Sequence, residues 1–513
     1  MRTINKNIFY LAFLISLSSV VSGQTITNLV TFCSGGSKGK VAMAISGSKV
    51  YTLYTNAKYF GAISCYDLAT GTSTSSGDLF PTIGKTDASH NDAAIAIDGS
   101  GYIHAWIGMH NTKMKYWRSN SAGDINNFTE YGYQMPGYND TGVNEKRYSY
   151  PAAATASNGD VFVILRRTAL ILSGGIVKEA LTNEKQDLYR WNNQAQSWSV
   201  DTVCAQTNKN AYMSNLYGDS NNNIHIVTAW SQRHYGANTF QRGTYLKYNN
   251  STATYSKADG ASVIVPAGVD TNPADVFYPG EQPWNDTICE IQTPMVKING
   301  LGKPIITVAY NSNYSQNYPS YRLDVVRFDG TSWNRQQNVF SGIKNYERPP
   351  LTSYNGSVNI YARNTAAYIL KSTDNGATFP TNKQLTSGSQ PVEATCYNST
   401  TDVYVTPYSL YKVVFSAPRL APRSTKLYDV VASAQNSTAF LVSLNSTKDI
   451  LQINNSSNLQ GKKYDLVIYN MLGKQVLHSE KITQSIDVSN LAFGHYLLVA
   501  ECEGKRNVAK FTK

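Results

Sequence analysis

Asp98-Gly99-Ser100-Gly101-Tyr102-Ile103-His104 is the stretch whose reading decides the fold. It reads as a turn running straight into a buried strand. The phrase returns as Asp219-Ser220-Asn221-Asn222-Asn223-Ile224-His225 and, more weakly, as Ser157-Asn158-Gly159-Asp160-Val161-Phe162. A second phrase joins a strand to a turn and a tryptophan: Asp187-Leu188-Tyr189-Arg190-Trp191 leads to Ser197-Trp198, and Leu323-Asp324-Val325-Val326-Arg327 leads to Ser332-Trp333. Units of this kind recurring every roughly 40–60 residues read as outer strands of propeller blades. From about Ser37 to Val414 the chain is rich in Tyr, Thr, Val and Ile, punctuated by Gly, Asn and Asp, with no long helical period. The expectation is all-β: a seven-bladed β-propeller followed by a small C-terminal β-sandwich-like module.

Ser372-Thr373-Asp374-Asn375-Gly376-Ala377-Thr378-Phe379 fits the S-x-D-x-G-x-T-W turn known as the Asp box, with Phe in the Trp position. It marks fold, not catalysis. The ends of the chain set the remaining boundaries. Arg2 and Lys6, the apolar run Ile8 to Val21 and the small residues Ser22-Gly23 read as a secretion signal over 1–23. The propeller is expected over 24–415, a Pro- and charge-bearing linker over 416–425, and the C-terminal module over 426–513.

The formal charge is +11, and removing Arg2 and Lys6 with the signal leaves +9. That balance favours a polyanionic partner. An exported chain without a dense Lys/Arg run or a nucleic-acid motif points away from nucleic acid and towards a sulfated or uronate-containing polysaccharide, bound by a monomer. Six scattered cysteines without a CxxC pair exclude closely spaced zinc-finger chemistry. No cofactor is required by the residues and no metal site is assigned, although a structural metal built from distant Cys and His stays open.

Three of seven histidines, His90, His104 and His110, fall within 21 residues. Imidazole gives or takes protons near neutral pH, so the cluster points to acid–base chemistry. His104 and His225 occupy the same place in two repeats and read as scaffold. His90 and His110 have no counterpart in the repeat and fall in a loop and at a strand end, where propellers bind their ligands.

Two longer resemblances follow from these blocks. His90-Asn91, Asp98 to His104, Met109-His110-Asn111 and Tyr116-Trp117-Arg118-Ser119 together resemble the BNR-repeat propellers. So do Tyr148-Ser149-Tyr150-Pro151, Gly159-Asp160, Arg166-Arg167, Asn210-Ala211-Tyr212 and Trp230-Ser231-Gln232-Arg233. That family includes lyases that cleave ulvan, a sulfated rhamnose–uronate polymer, by β-elimination. The resemblance implies His90 and Tyr150 as the acid–base pair, with His90 leaning to base and Tyr150 to acid. It implies Arg166 as the neutraliser of the uronate carboxylate, and His110, Tyr212 and Arg233 as substrate contacts. Tyr148 and Arg167 are the neighbours most easily confused with Tyr150 and Arg166. A rhamnosidase-like hydrolase and a non-catalytic glycan-binding propeller are the competing readings. A sialidase is disfavoured, because no Arg-Ile-Pro motif occurs. The tail, with Tyr464 to Val476, Ile486 to Tyr496 and the basic Lys510 and Lys513, resembles the sorting domain of type IX secretion in Bacteroidetes, which implies that machinery as partner and a secreted or outer-membrane surface location.

Overall fold

The computed structural model describes residues 24–140, 145–173, 176–179, 183–232, 240–285, 287–292, 294–311, 313, 320–344, 347–385, 388–416, 418–419, 441–445, 450–454, 464–470, 475–482, 485–491, 495–502 and 505–512. The expected signal, most of the linker, Arg233 and His234 lie outside them. The described residues are all-β apart from two single 3-10 turns, Ala88–His90 and Gly132–Gln134.

Among the described residues, Gln24 to Phe415 makes seven antiparallel sheets built on a run of four neighbouring strands. Their first strands are Ala42–Ser46, Ala94–Ile97, Lys146–Thr155, Asn210–Gly218, Met295–Ile298, Leu351–Tyr354 and Glu393–Asn398. Each first strand packs against the first strand of the next sheet, and the last returns to the first, so the ring closes. The chain is a β-propeller. Closure is secured by the N-terminal strand Gln24–Thr31, which pairs with Ser409–Phe415 as the outer strand of the last sheet, with Ile26 opposite Val413. The core runs between sheets and not within one, because both faces of each sheet are covered by neighbours.

The repeated phrase builds the same small network twice. His104 Nε2 meets Asp98 Oδ2 at 3.1 Å and its Nδ1 meets the Tyr116 hydroxyl at 2.8 Å. His225 Nε2 meets Asp219 Oδ2 at 3.0 Å and its Nδ1 meets the Tyr245 hydroxyl at 2.7 Å. Each Asp also accepts the amides of its own turn, as Ser100 and Tyr102 do at Asp98, so one carboxylate ties turn to strand. The Asp box folds likewise: Asp374 Oδ1 accepts from Ser372 Oγ at 2.6 Å and from the Thr378 amide at 2.9 Å. Gly376 is required there. Its φ is +81°, and a Cβ would meet Ile305 Cδ1 of the neighbouring sheet at 2.1 Å.

The C-terminal module has two sheets, Leu441–Asn445 with Ile450–Asn454 and Ser485–Asp487, and Gln475–Ile482 with Tyr464–Asn470, His495–Cys502 and Lys505–Thr512. Leu451 and Ile486 of the first share a core with Leu466, Ile468 and Leu498 of the second, the packing of a β-sandwich. Among the described residues, Cys33, Cys65, Cys204, Cys289 and Cys396 form no disulfide.

Candidate active site

At one mouth of the ring lies a cavity of about 530 Å³, lined by His90, Tyr150 and Tyr212 together with Lys40, Asp92 and Arg348. The lining has a simple topological origin. Lys40 stands two residues before the strand Ala42–Ser46, Asp92 two before Ala94–Ile97, and Arg348 three before Leu351–Tyr354. Tyr150 and Tyr212 lie within the first strands of the third and fourth sheets. Successive sheets thus contribute the entrances of their first strands to one rim.

His90 ends the 3-10 turn Ala88–His90, which brings its Nδ1 onto Asp87 Oδ1. His110 Nδ1 meets the other oxygen, Asp87 Oδ2, at 2.6 Å. The two imidazoles stack with centroids 3.9 Å apart and planes 11° from parallel. An ionised carboxylate only accepts, so each Nδ1 carries the proton and each Nε2 is left as a base. Nε2 of His110 is then the acceptor for the Tyr150 hydroxyl, at 3.1 Å. Nε2 of His90 has no hydrogen bond among the described residues, on a side chain that lines the cavity. Partial burial would raise the Asp87 carboxyl, but its two histidine partners hold it below the usual range. Burial lowers the His110 imidazole, and the His90 and Arg166 charges reinforce the shift against Asp87. Asp87, His90 and His110 are also near enough to form a three-ligand cluster for a cation, although here Asp87 lies directly on both ring nitrogens.

Tyr150 reaches this site through a break in its strand. Ser149 pairs with Arg166 and Ala152 with Ile164, so the register slips between them, and Tyr150 itself has φ +53°. Simple alternation would put Tyr148 and Tyr150, two residues apart, on one face. The bulge separates them. Tyr148 packs beside Met114 and accepts from the Tyr189 hydroxyl at 3.1 Å, while Tyr150 packs with Tyr212 and Phe240. The Tyr212 hydroxyl stands 3.4 Å from that of Tyr150. Burial pushes the Tyr150 phenol well above its usual value, and Arg166 pulls it only part of the way back.

Arg166 is fully buried behind these rings. Its Cζ lies 4.6 Å from the Tyr150 centroid and 4.4 Å from that of Tyr212. Nη2 donates to Asn111 Oδ1 at 2.8 Å and to Ser149 Oγ at 3.0 Å, and Nε faces Glu184 Oε1 at 3.4 Å. Burial opposes its charge, but Glu184 and the two phenols hold the guanidinium above its usual pKa. It does not line the cavity. Its neighbour Arg167 points away to Asp187 and to Thr202, whose Oγ1 it meets at 3.2 Å. The structure therefore gathers His90, His110, Tyr150, Tyr212 and Arg166 into one cluster. It adds Asp87, Lys40, Asp92 and Arg348, which the sequence reading did not single out as site residues. The signal for the last three was position, just before a first strand, and not motif.

A closed ring of antiparallel sheets defines a β-propeller, here with an imidazole–phenol cluster at its mouth. The chain belongs to the BNR repeat-containing family, whose model matches residues 50–340, and residues 445–513 match the secretion system C-terminal sorting domain. That tail places the protein outside the cell or on its surface, exported by type IX secretion. No curated protein is a match. Among solved structures, a PL25 ulvan lyase bound to -[GlcA(1-4)Rha3S]- is similar in fold at 13% identity, with 79% of this chain and 99% of that one covered and a TM-score of 0.57. The polysaccharide lyase Uly1 is similar at 11% identity, covering 73% of this chain and 90% of that one, with a TM-score of 0.54.

Proposed function

We propose that the protein is a polysaccharide lyase that cleaves a sulfated rhamnose–uronate polymer, ulvan, by β-elimination at the uronate C4–O bond. One observation carries this reading: an imidazole with an unpaired Nε2 and a protonated phenol open onto the same cavity, in a fold shared with ulvan lyases. His90 Nε2 takes the C5 proton, and Asp87 stabilises the imidazolium that forms. The electron pair left at C5 makes the C4=C5 double bond as the C4–O bond breaks, and Tyr150 gives its proton to the departing oxygen. The raised pKa keeps the Tyr150 phenol protonated, so it holds a proton to give and is no base. Arg166, stacked behind the ring, steadies the phenolate so formed, which regains its proton from solvent once the product has left. Tyr212 and Arg233 are kept as substrate contacts.

A hydrolase of the usual kind needs two carboxyl groups flanking the bond. Among the described residues lining the cavity, Asp92 is the one carboxylate, and it is paired with Arg348. Incubation with ulvan should produce the ultraviolet band of the unsaturated uronate, and His90→Ala should abolish it with folding intact. New reducing ends or free rhamnose without that band would mean hydrolysis. No cleavage of any uronate polymer would leave a binding propeller.

A further inference from the structure

Lys40 and Arg348 enter the cavity from the first and sixth sheets, on either side of the seventh. In ring order this arc lies opposite the third and fourth sheets, which carry Tyr150 and Tyr212. The Lys40 ammonium makes no hydrogen bond or ion pair among the described residues. Among the described residues Arg348 holds one acidic partner, Asp92, through contacts of 3.3 and 3.4 Å. Charge-assisted pairs close to about 2.7–2.9 Å when satisfied, so the guanidinium is loosely held and has donors to spare. Burial depresses the Lys40 ammonium, and the Arg348 charge depresses it further, against Glu393 and Asp92. Lys40 and Arg348 line one cavity, and Asp92 and Glu393 offset their charge only in part, which leaves cationic donors there for an incoming anion.

We propose that Lys40 and Arg348 form an oxyanion-binding subsite that takes the sulfate ester or carboxylate of a sugar one step along the polymer from the residue that His90 and Tyr150 attack. This rests on the lyase reading for what is bound, but not for whether an anion is bound. The fully buried Arg166 does not meet the polymer at the cavity wall, whereas these two cations do. The subsite would therefore supply the charge recognition that the acid–base arc lacks. Asp92 tempers it by occupying Arg348 when the cavity is empty of substrate.

The test is calorimetric binding of ulvan, desulfated ulvan and carboxyl-reduced ulvan to the full chain carrying His90→Ala, so that nothing is turned over. Lys40→Met and Arg348→Met in that background should each weaken binding of native ulvan at least about tenfold, with the thermal midpoint unchanged. They should also erase the parent's preference for whichever polymer retains the group they hold, which identifies sulfate or carboxylate. Asp92→Asn removes no cation and frees Arg348, so it should tighten binding, and it serves if a cation variant does not fold. Unchanged affinity in both Met variants would overturn the subsite, as would a parent that binds none of the three polymers. Weakened binding in the variants together with a wild-type protein that never forms unsaturated uronate would leave the subsite standing and remove the lyase reading.

Discussion

Asp87 sets what both histidines can do. By accepting Nδ1–H from His90 and His110 together, it fixes their tautomers and leaves two Nε2 lone pairs, one facing the cavity and one holding the Tyr150 proton. Asp87→Asn keeps the shape but offers one oxygen acceptor where two are needed, and its amide donates where a donor already points. One ring must then flip its tautomer. We expect activity to fall by about two to four orders of magnitude, the scale seen when a carboxylate that orients a catalytic histidine is amidated. The acid limb of the pH–rate profile should also move, since the imidazolium loses its counter-charge. A variant with a native thermal midpoint and an unshifted pH profile would remove Asp87 from this role. The sequence showed His90, His110, Tyr150 and Tyr212 through their family pattern. It did not show how deep Arg166 lies, because alternation sets a face and not a depth. Lys40 and Arg348 were invisible for another reason: each is a lone residue before a strand, and only ring closure brings the two to one rim.

The repeated turn-strand element is a pH-sensitive part of the scaffold. In Asp219–His225–Tyr245 the imidazole is buried and neutral, with Nε2–H donated to Asp219 and Nδ1 accepting from Tyr245. Burial holds the His225 pKa below its usual value, so acid favours the unfolded chain, which protonates first. Asp219 is lowered to about 2 despite burial, chiefly by His225 and Asn223. Its contribution is full above the unfolded carboxyl value of about 3.9 and is lost as pH falls towards 2. Both signs agree: stability declines from about pH 6.5 downwards. His225→Phe should cost about 1–3 kcal/mol at pH 7, by leaving Asp219 and the Tyr245 hydroxyl without their partner. It should also flatten the stability curve below about pH 6.5, read from urea midpoints across pH. An equal slope in variant and parent would show that this imidazole does not couple to folding. These elements were legible in the sequence because the Asp and His recur six residues apart. The Tyr150 bulge was not, since a register slip leaves no period to read.

At the scale of the molecule, the site exists only while the ring is closed. The Asp92–Arg348 pair joins the second sheet to the sixth, and Lys40 comes from the first, so no single sheet or adjacent pair carries the cavity. Closure depends on the strand Gln24–Thr31, the first described residues of the chain, completing the sheet that ends at Phe415. Ile26 in that strand packs against a cluster containing Tyr404, Val413 and Leu385. Ile26→Asp puts a carboxylate against that apolar face and should cost about 2–3 kcal/mol. Because every sheet leans on two neighbours, the loss should lower the melting midpoint of the propeller in one calorimetric transition and not fray the first strand alone. Activity and far-ultraviolet circular dichroism should fall together, since rim residues from distant sheets separate only as the whole ring opens. If instead the variant is clipped near Ile26 by protease while midpoint and activity stay at wild-type values, closure by this strand is not what holds the rim together.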